Sequence, residues 1–509
     1  MNNKKMNNTE NPAPFTKEQV LNIEPDTKVL ITGLTQCRNL GDVVIADCVK
    51  YLIKKSAEED GLNNLKITAL DIRRQKDKAS LAKIRNSDVV VFPGGGFIKY
   101  KTEKFPVEMG RFTNLAEHFG IPVMYNAMGV EGFDPENEGC QKLKAMLEAR
   151  SSRYITSRDY SDFLNETYLK DSHIKSRRMA DPAVWTKETY KISRQKHSDI
   201  VGLGVVRGKL FEDHGVPVSK EDLLEIWSGI INALETEGIR YKLFTNGLKL
   251  DEDFLTELLE YMGKEDQREE IALPQPETAK QLVKHISGFS SIIACRMHAN
   301  IIAFSLGIPS VAFVWNDKLR FFGDSIGCGE RYFDYTQLKN TDLVVNTLKK
   351  AQSEGYKKGI LKQEKESAYN SIRDFLSPFC KDLISYRRQN LYKKKHVFYG
   401  LPNQKSYKLN DDFFKNHIEY FVTDDPEFIG AKCFGRPVYS TKKLRKLIKP
   451  FVIVSEMSEY SDAAKILDKY GYKDKRDYTN MHAYTRYICK KGEVFLKEAK
   501  ETCGYEIIK

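Results

Sequence analysis

No pair of cysteines in this 509-residue chain is spaced CxxC. The nine cysteines, Cys37, Cys48, Cys140, Cys295, Cys328, Cys380, Cys433, Cys489 and Cys503, are scattered. That spacing removes support for a zinc ribbon or a thioredoxin-like dithiol, and the odd number points to reduced thiols in a cytoplasm. No apolar run approaches the roughly 18 residues of a membrane span. The opening stretch MNNKKMNNTENPAP lacks the apolar core of a secretory leader, so a cytoplasmic protein is expected. Neither GxxxxGK followed by Ser or Thr nor GxGxxG occurs, so neither standard nucleotide-phosphate loop fits. There is no internal repeat of about 20–50 residues. No nucleic-acid motif or aromatic–basic platform is present, and a nucleic-acid partner is not expected.

What is present is ordinary for a globular protein: 41% hydrophobic and 30% charged residues exclude wholesale disorder. At about 100–200 residues per domain, the length implies two to four domains. Lys plus Arg number 81 against 70 Asp plus Glu, a net charge of +11. That modest excess suits anionic partners, and the placement of the basic residues matters more than their total.

Residues 1–22 are polar and read as a flexible tail. From there, short continuously apolar runs alternate with helical periodicity: KVLITG, a helix from Asp42, Lys66–Leu70, DVVVF at 88–92, PVMYN at 122–126 and Ile155–Ser157. Continuous apolar strands between helices mark a parallel sheet buried on both faces. The pattern gives an α/β, Rossmann-like unit over 23–190, and it recurs over 191–345 with strands near 199–206, 241–245, 291–294 and 311–314. Two such units in succession predict a GT-B-like pair with a cleft between them. Residues 346–395 read as a basic helical connector. Residues 396–509 restart the α/β pattern as a third, smaller Rossmann-like module.

In open α/β sheets ligands bind beyond the carboxyl ends of the strands. After the first strand stand Gly33, Asn39, Gly41 and Asp42, where glycine permits tight turns and Asn39 and Asp42 can cap the following helix. The segment reads equally well as a capped loop without a ligand. Pro93-Gly94-Gly95-Gly96 follows a buried strand and permits close backbone approach to a ligand, or serves as a plain strand-to-helix turn. Gly129, Arg158 and Asp159 also follow strands, and Arg158-Asp159 reads as a buried structural pair. In the second unit, Arg207 ends a strand, and Arg296-Met297-His298 opens a helix. Arginine, histidine and a helix N-terminus together suit an anion. His298 can carry a proton near neutral pH. Lys318, beside Asp317 after the next strand, can add charge to the same cleft or lie solvated in a loop.

These pieces, taken in order, resemble the polysaccharide pyruvyl transferase family. The matching segments are Asn39-x-Gly41-Asp42, Gly94–Gly96, Ser157-Arg158-Asp159, Asp181-Pro182-Ala183, Arg207, Arg296-Met297-His298-Ala299, Gly307-Ile308-Pro309 and Asp317-Lys318, over roughly 28–330. Met297 stands where the family pattern usually has Leu, a swap that conserves volume. The resemblance implies a GT-B-like fold and transfer of the enolpyruvyl group of phosphoenolpyruvate (PEP) onto two hydroxyls of a sugar, with release of phosphate. It implies PEP as donor substrate, no cofactor or metal, and a sugar acceptor that is free or lipid-linked. On this resemblance His298 is the catalytic acid, and Arg207, Arg296, Met297 and Lys318 bind PEP. Asn39, Asp42, Gly94, Gly95 and Gly96 line the acceptor side.

In the C-terminal module, Gly400 follows the first strand and Asp424 stands where a ribose-binding acid would stand. Leu401-Pro402-Asn403 follows in place of further glycines, so a packing module competes with a nucleotide-sugar reader. The basic stretch 386–395 reads as a solvated helix face, or as a contact with anionic lipid at the inner face of a membrane. The competing functions are a GT-B glycosyltransferase using a nucleotide sugar and a non-catalytic sugar- or nucleotide-binding relative.

Overall fold

The architecture comes from a computed structural model that describes residues 27–62, 64–74, 78–99, 104–388, 396–402, 411–445, 449–455, 460–481 and 483–484. The tail 1–22 and the side chains of the basic stretch 386–395 lie outside the described residues. The first sheet contains β1 (Thr27–Gly33), β2 (Leu65–Asp71), β3 (Val89–Phe92), β4 (Gly95–Lys99), β5 (Val123–Glu131) and β6 (Ser152–Ser157). All of its pairings are parallel. The strands form where apolar residues run without interruption, and every residue of the VVVF strand β3 is buried.

The glycine run is not a strand-to-helix turn: it leads directly into a further strand, β4. Met128 of β5 pairs with Gly95 on one side and Ser157 on the other, while Val123 pairs with Val90-level β3 and with Ser152. Thus β3 and β4 follow each other along one edge of β5, interrupted only at Pro93-Gly94. Proline has no N–H to give to a ladder, and Gly94 and Gly95 take φ of 125° and 120°, which other residues rarely adopt. The strand resumes at once and ends at Lys99.

The second sheet has the order β8-β7-β9-β10-β11, from β7 (Val201–Gly204), β8 (Tyr241–Phe244), β9 (Ser291–Ala294), β10 (Ser310–Phe313) and β11 (Tyr332–Phe333). The first sheet runs β2-β1-β3-β5 with β6 outside β5. Both sheets therefore reverse direction of winding beside their first strand. The crevices lie at the carboxyl ends of β1 and β3 in one unit, and of β7 and β9 in the other. The third sheet has the order β14-β15-β13-β12-β16-β17. It is built from β12 (His396–Tyr399), β13 (Ile418–Thr423), β14 (Lys432–Cys433), β15 (Arg436–Ser440), β16 (Val452–Val454) and β17 (Tyr478–Asn480). Only the β14–β15 pair is antiparallel.

The segment read as a connector contains a 29-residue helix, Ile360–Arg388, that lies back along the first unit. Ala368, Ile372 and Leu376 are buried along it. Ser371 Oγ donates to Asn126 Oδ1 at 2.5 Å and lies 2.7 Å from Thr156 Oγ1. Trp185 Nε1 donates to the Lys365 carbonyl at 2.9 Å. The helix thereby closes one face of the first sheet. The third module docks on the same unit through Arg150–Asp468 at 2.6 Å and Arg153–Asp474 at 3.2 Å. Among the described residues no helix is long and apolar enough to cross a membrane.

The Ser371 bonds give a test of this packing. Ser371→Ala strips the buried Asn126 carbonyl of its donor, and an unsatisfied buried group costs about 1–3 kcal/mol. Urea unfolding should show a loss of that size, while Ser377→Ala, whose bond is to the half-buried Asp60, should lose less.

Candidate functional site

Strand β9 delivers the site's histidine. It ends at Ala294, Arg296 takes the N-cap position, and the fully buried helix Met297–Ser305 begins with Met297 and His298. The imidazole meets the first turn of the Leu40–Glu59 helix of the other unit. A Cβ on Gly41 would stand 2.5 Å from both Cβ and Nδ1 of His298. Gly41 is therefore a matter of space and not of backbone turn, which corrects the expectation drawn from its neighbours. Asn39 occupies the N-cap position, yet its side chain makes no cap bond and donates to Asp42 Oδ2 at 2.9 Å. The Leu40 amide donates to the Asn246 carbonyl of the second unit at 3.2 Å, which pins the two crevices together.

Behind His298 lies Asp181 of the first unit. His298 Nε2 is 3.9 Å from Asp181 Oδ2, and Arg158 Nη1 donates to that same oxygen at 2.5 Å. Asp181 Oδ1 accepts the Ala183 amide at 2.9 Å. Burial pushes the Asp181 carboxyl up, but His298, Arg158 and the Ala183 amide outweigh it and hold the group well below the usual carboxylate range. Arg158 is only 3.9 Å from its sequence neighbour Asp159, so its close partner is Asp181, not Asp159 as its sequence suggested. Burial dominates at Asp159 and raises its carboxyl despite Arg158. His298 Nε2, Arg158 Nε and Asn39 Oδ1 are buried without a hydrogen-bond partner. Buried polar atoms are normally paired, so unpaired ones converging here mark a place for a polar ligand.

The two arginines of the second unit are not loose. Arg296 Nε and Nη2 fork onto Asp251 at 3.0 and 2.6 Å, and Asp251 is wholly buried. The Arg207 amide donates to Asp251 Oδ1 at 3.0 Å, and its guanidinium pairs with Asp213. Asp251 thus fixes both strand ends, and the sequence reading missed it. It stands in the first turn of the Lys249–Met262 helix, where an acid is common for the helix dipole alone, so no signal set it apart.

Lys318 opens the Asp317–Ser325 helix and reaches across the cleft. Its Nζ lies 4.5 Å over the Trp315 ring and 3.8 Å from Glu131 Oε1. Lys99, at the end of β4, comes to 3.2 Å of the same oxygen. A Cβ on Gly96 would sit 3.1 Å from Lys99 Cε, and one on Gly129 would sit 3.1 Å from Arg158 Nη2. These two glycines face each other on β4 and β5 and keep the strands bare where the charged groups lie. Gly94 and Gly95 instead serve the strand interruption. Met297, Arg158, Asp181 and Lys318 line a cavity of about 20 Å³, the size of a single water.

The structure brings together Asn39, Asp42, Gly96, Met297, His298 and Lys318 with Arg158 and Asp181. It does not bring Gly400 or Asp424 to this cleft. Gly400 follows β12 with φ of 88°, and Asp424 accepts from the Tyr399 and Thr441 hydroxyls, one on each oxygen. Both oxygens are thus engaged in holding the module's own strand ends. Another cavity of about 440 Å³ lies elsewhere, lined by Asp88, Tyr154, Phe375, Phe379, Asp474 and Asn480. It sits at the amino ends of β3 and β6, the end of a doubly wound sheet that ligands avoid. Among the described residues no three His, Cys, Asp or Glu side chains converge as a metal site.

Two doubly wound parallel units with facing crevices and a polar cluster drawn from both define a GT-B-like enzyme. The model of the family described as polysaccharide pyruvyl transferase matches residues 39–317, more than half of the chain, and the chain belongs to that family. No curated protein sequence matches it. Among solved structures, UDP-GlcNAc 2-epimerase from Methanocaldococcus jannaschii is 14% identical with a TM-score of 0.45, covering 68% of this chain and 99% of that one. The same enzyme from Neisseria meningitidis, bound to UDP-GlcNAc, is 12% identical with a TM-score of 0.43, covering 70% and 100%. An E. coli heptosyltransferase with ADP is 15% identical with a TM-score of 0.37, covering 64% and 99%.

Two outcomes follow from the Asp181 geometry. Asp181→Asn leaves the buried Arg158 without its charge partner, which costs about 3–5 kcal/mol in denaturant unfolding. The carboxyl's folded value is depressed, so its stabilisation is complete above the ordinary carboxylate range and is lost as pH falls toward the folded value. The stability gap between wild type and Asp181→Asn should therefore narrow as the pH is lowered below about 4.

Proposed function

We propose that the chain transfers the enolpyruvyl group of PEP to two hydroxyls of a sugar in a surface polysaccharide or its precursor, forming a pyruvate ketal. The observation that carries this reading is the His298 imidazole set between the Gly41 turn and the Asp181–Arg158 pair. It presents a proton-carrying ring inside a cleft with cationic walls, which suits a small, densely charged anion. In the reaction, His298 gives a proton to the methylene carbon of PEP, and the central carbon becomes oxocarbenium-like. One sugar hydroxyl bonds to that carbon and gives up its proton, with His298 available to take it back. The second hydroxyl then displaces phosphate, breaking the C–O bond, and its proton leaves with the phosphate as HPO₄²⁻. Carbon, phosphorus and charge balance with PEP as the sole donor and without a further cofactor.

Asp181 stands behind the ring and holds its position. Arg296, oriented by Asp251, turns its remaining N–H groups toward the PEP carboxylate, and Met297 packs beside it. Arg207 supports the same wall. Asn39, Asp42 and the bare strand at Gly96 lie on the first unit, where the acceptor approaches. A nucleotide sugar as donor is the competing reading, but no observation in the cleft favours it.

His298→Ala should retain PEP binding and lose about 10²–10⁴-fold in turnover. The measurements are PEP-dependent thermal stabilisation and phosphate release from PEP with a panel of sugar diols. Full phosphate release by the variant would remove His298 as the acid. A saturating ligand at 100 times its Kd stabilises by about 2.7 kcal/mol. Such a shift with UDP-, GDP- or CDP-sugars and none with PEP would replace PEP as donor.

A further inference from the structure

Between Glu427 and Glu456 the sequence holds seven Lys or Arg and no acid. The fold sets several of them on one face of the third sheet, at its β14–β15 edge. Tyr439 of β15 pairs in register with Val422, which packs with Ala463 and Leu467 of the Tyr460–Lys469 helix, so Tyr439 points to the helix-covered face. Lys432 of β14 pairs with Pro437, two residues before Tyr439, and shares that face. The turn after β15 returns over it: Leu444 joins the same core, and the Tyr472 hydroxyl donates to the Leu444 carbonyl at 3.2 Å. Lys443 Nζ lies 4.6 Å over the Tyr439 ring, the Arg445 guanidinium 5.0 Å over Tyr470, and Lys449 Nζ 5.3 Å over Tyr472.

Among the described residues none of Lys432, Lys442, Lys443, Arg445 and Lys449 makes an ion pair. The acids at this edge are Asp424, Asp425 and Glu427, which leaves five cations against three acids. Asp462, Asp468 and Asp477 have Lys465, Arg150 and Arg476 as partners. Glu419 and Arg436 are one place out of step with Tyr420 and Pro437 and point to the opposite face. Beside the cations stands an apolar tip. Residues 424–432 are exposed without a break, yet they include Phe428 and Ile429, 40% and 42% exposed. The Gly430 amide donates to the Val438 carbonyl and the Val438 amide to the Ala431 carbonyl, both at 2.9 Å, which sets Phe428 and Ile429 next to the start of the Lys442-Lys443 turn. An apolar tip rimmed by unpaired cations is the pattern of a surface that meets a membrane.

We propose that this edge of the third module docks on an anionic lipid bilayer. Phe428 and Ile429 enter the boundary between headgroups and acyl chains, and Lys432, Lys442, Lys443 and Arg445 meet lipid phosphates. Lysine and arginine suit that position, because their stems lie along apolar surface while their heads stay with the phosphates. A nucleic acid fits less well. It needs open aromatic faces for its bases, whereas Tyr439 packs on Tyr420 and carries Lys443, and Tyr472 is buried. The apolar tip would also have no partner there. None of these residues belongs to the basic stretch 386–395, and the inference does not depend on the pyruvyl-transfer reading.

The test is co-sedimentation of the full chain with vesicles of phosphatidylcholine alone and of phosphatidylcholine and phosphatidylglycerol in equal parts, at low and high salt. Wild type is compared with Lys442→Gln/Lys443→Gln, with Phe428→Ser/Ile429→Ser and with Lys357→Gln/Lys358→Gln, which removes the same charge from an exposed pair outside the third module. Thermal melts confirm that each variant folds. Wild type should bind the phosphatidylglycerol vesicles, more weakly at high salt, and should leave pure phosphatidylcholine in solution. Loss of the two edge lysines should weaken binding about thirtyfold. Loss of the apolar pair should weaken it about tenfold. Lys357→Gln/Lys358→Gln should bind as wild type. Failure of wild type to sediment with phosphatidylglycerol overturns the proposal, and so does equal binding to both kinds of vesicle. An equal loss in Lys357→Gln/Lys358→Gln overturns it too, since net charge and not this edge would then govern binding. A gel shift with single-stranded RNA that is abolished in Lys442→Gln/Lys443→Gln, without vesicle binding, overturns the lipid assignment and moves the edge to nucleic acid.

Discussion

The carboxylate of Asp181 is the constraint on which the cleft depends. It is buried on the first unit, it binds Arg158 at 2.5 Å, and it stands 3.9 Å from His298 of the second unit. Arg158 is desolvated and would lose its close charge partner without it, and the imidazole gains a fixed neighbour. Because the two partners come from different units, the pair is complete only when the crevices face each other. The Leu40–Asn246 backbone bond and the Gly41–His298 contact hold them in that relation.

The glycines of the first unit serve that arrangement in three distinct ways. Gly94 and Gly95 adopt positive φ and interrupt the strand beside Pro93. Gly96 and Gly129 keep two adjacent strands bare next to Lys99 and Arg158. Gly41 admits the imidazole onto a helix turn at ordinary helical geometry. A run of glycines in sequence is thus not one device, and the difference between flexibility and clearance shows only where the neighbours are placed.

The second unit follows a parallel logic with Asp251. A single buried acid receives the Arg296 fork and the Arg207 amide, so the ends of β7 and β9 are locked at the unit's switch point. The cationic surface of the cleft is therefore divided. Its arginines are held rigid by acids within their own unit, and its lysines, Lys99 and Lys318, meet across the gap on one Glu131 oxygen. A rigid fork suits orientation of a planar carboxylate.

The amino-acid sequence by itself determined the parallel α/β units, because uninterrupted apolar runs such as VVVF and SIIA alternate with helical segments, the pattern of sheets covered on both faces. It also placed Arg296, Met297, His298 and Lys318 beyond strand ends, where ligands bind in such sheets. It did not reveal β4, since Gly95 and Gly96 carry no side-chain periodicity to read. Nor did it reveal that the Ile360–Arg388 helix returns to the first unit, because a basic amphipathic pattern does not name the surface it covers. Asp251 and Lys99 were equally silent: an acid in a helix's first turn and a lysine at a strand end are common in any chain. Only the tertiary structure decided that Asp181, while capping the turn at Ala183, also meets Arg158 and His298. The Asp181–His298 contact joins residues more than a hundred positions apart and is set by how the units pack, not by local pattern.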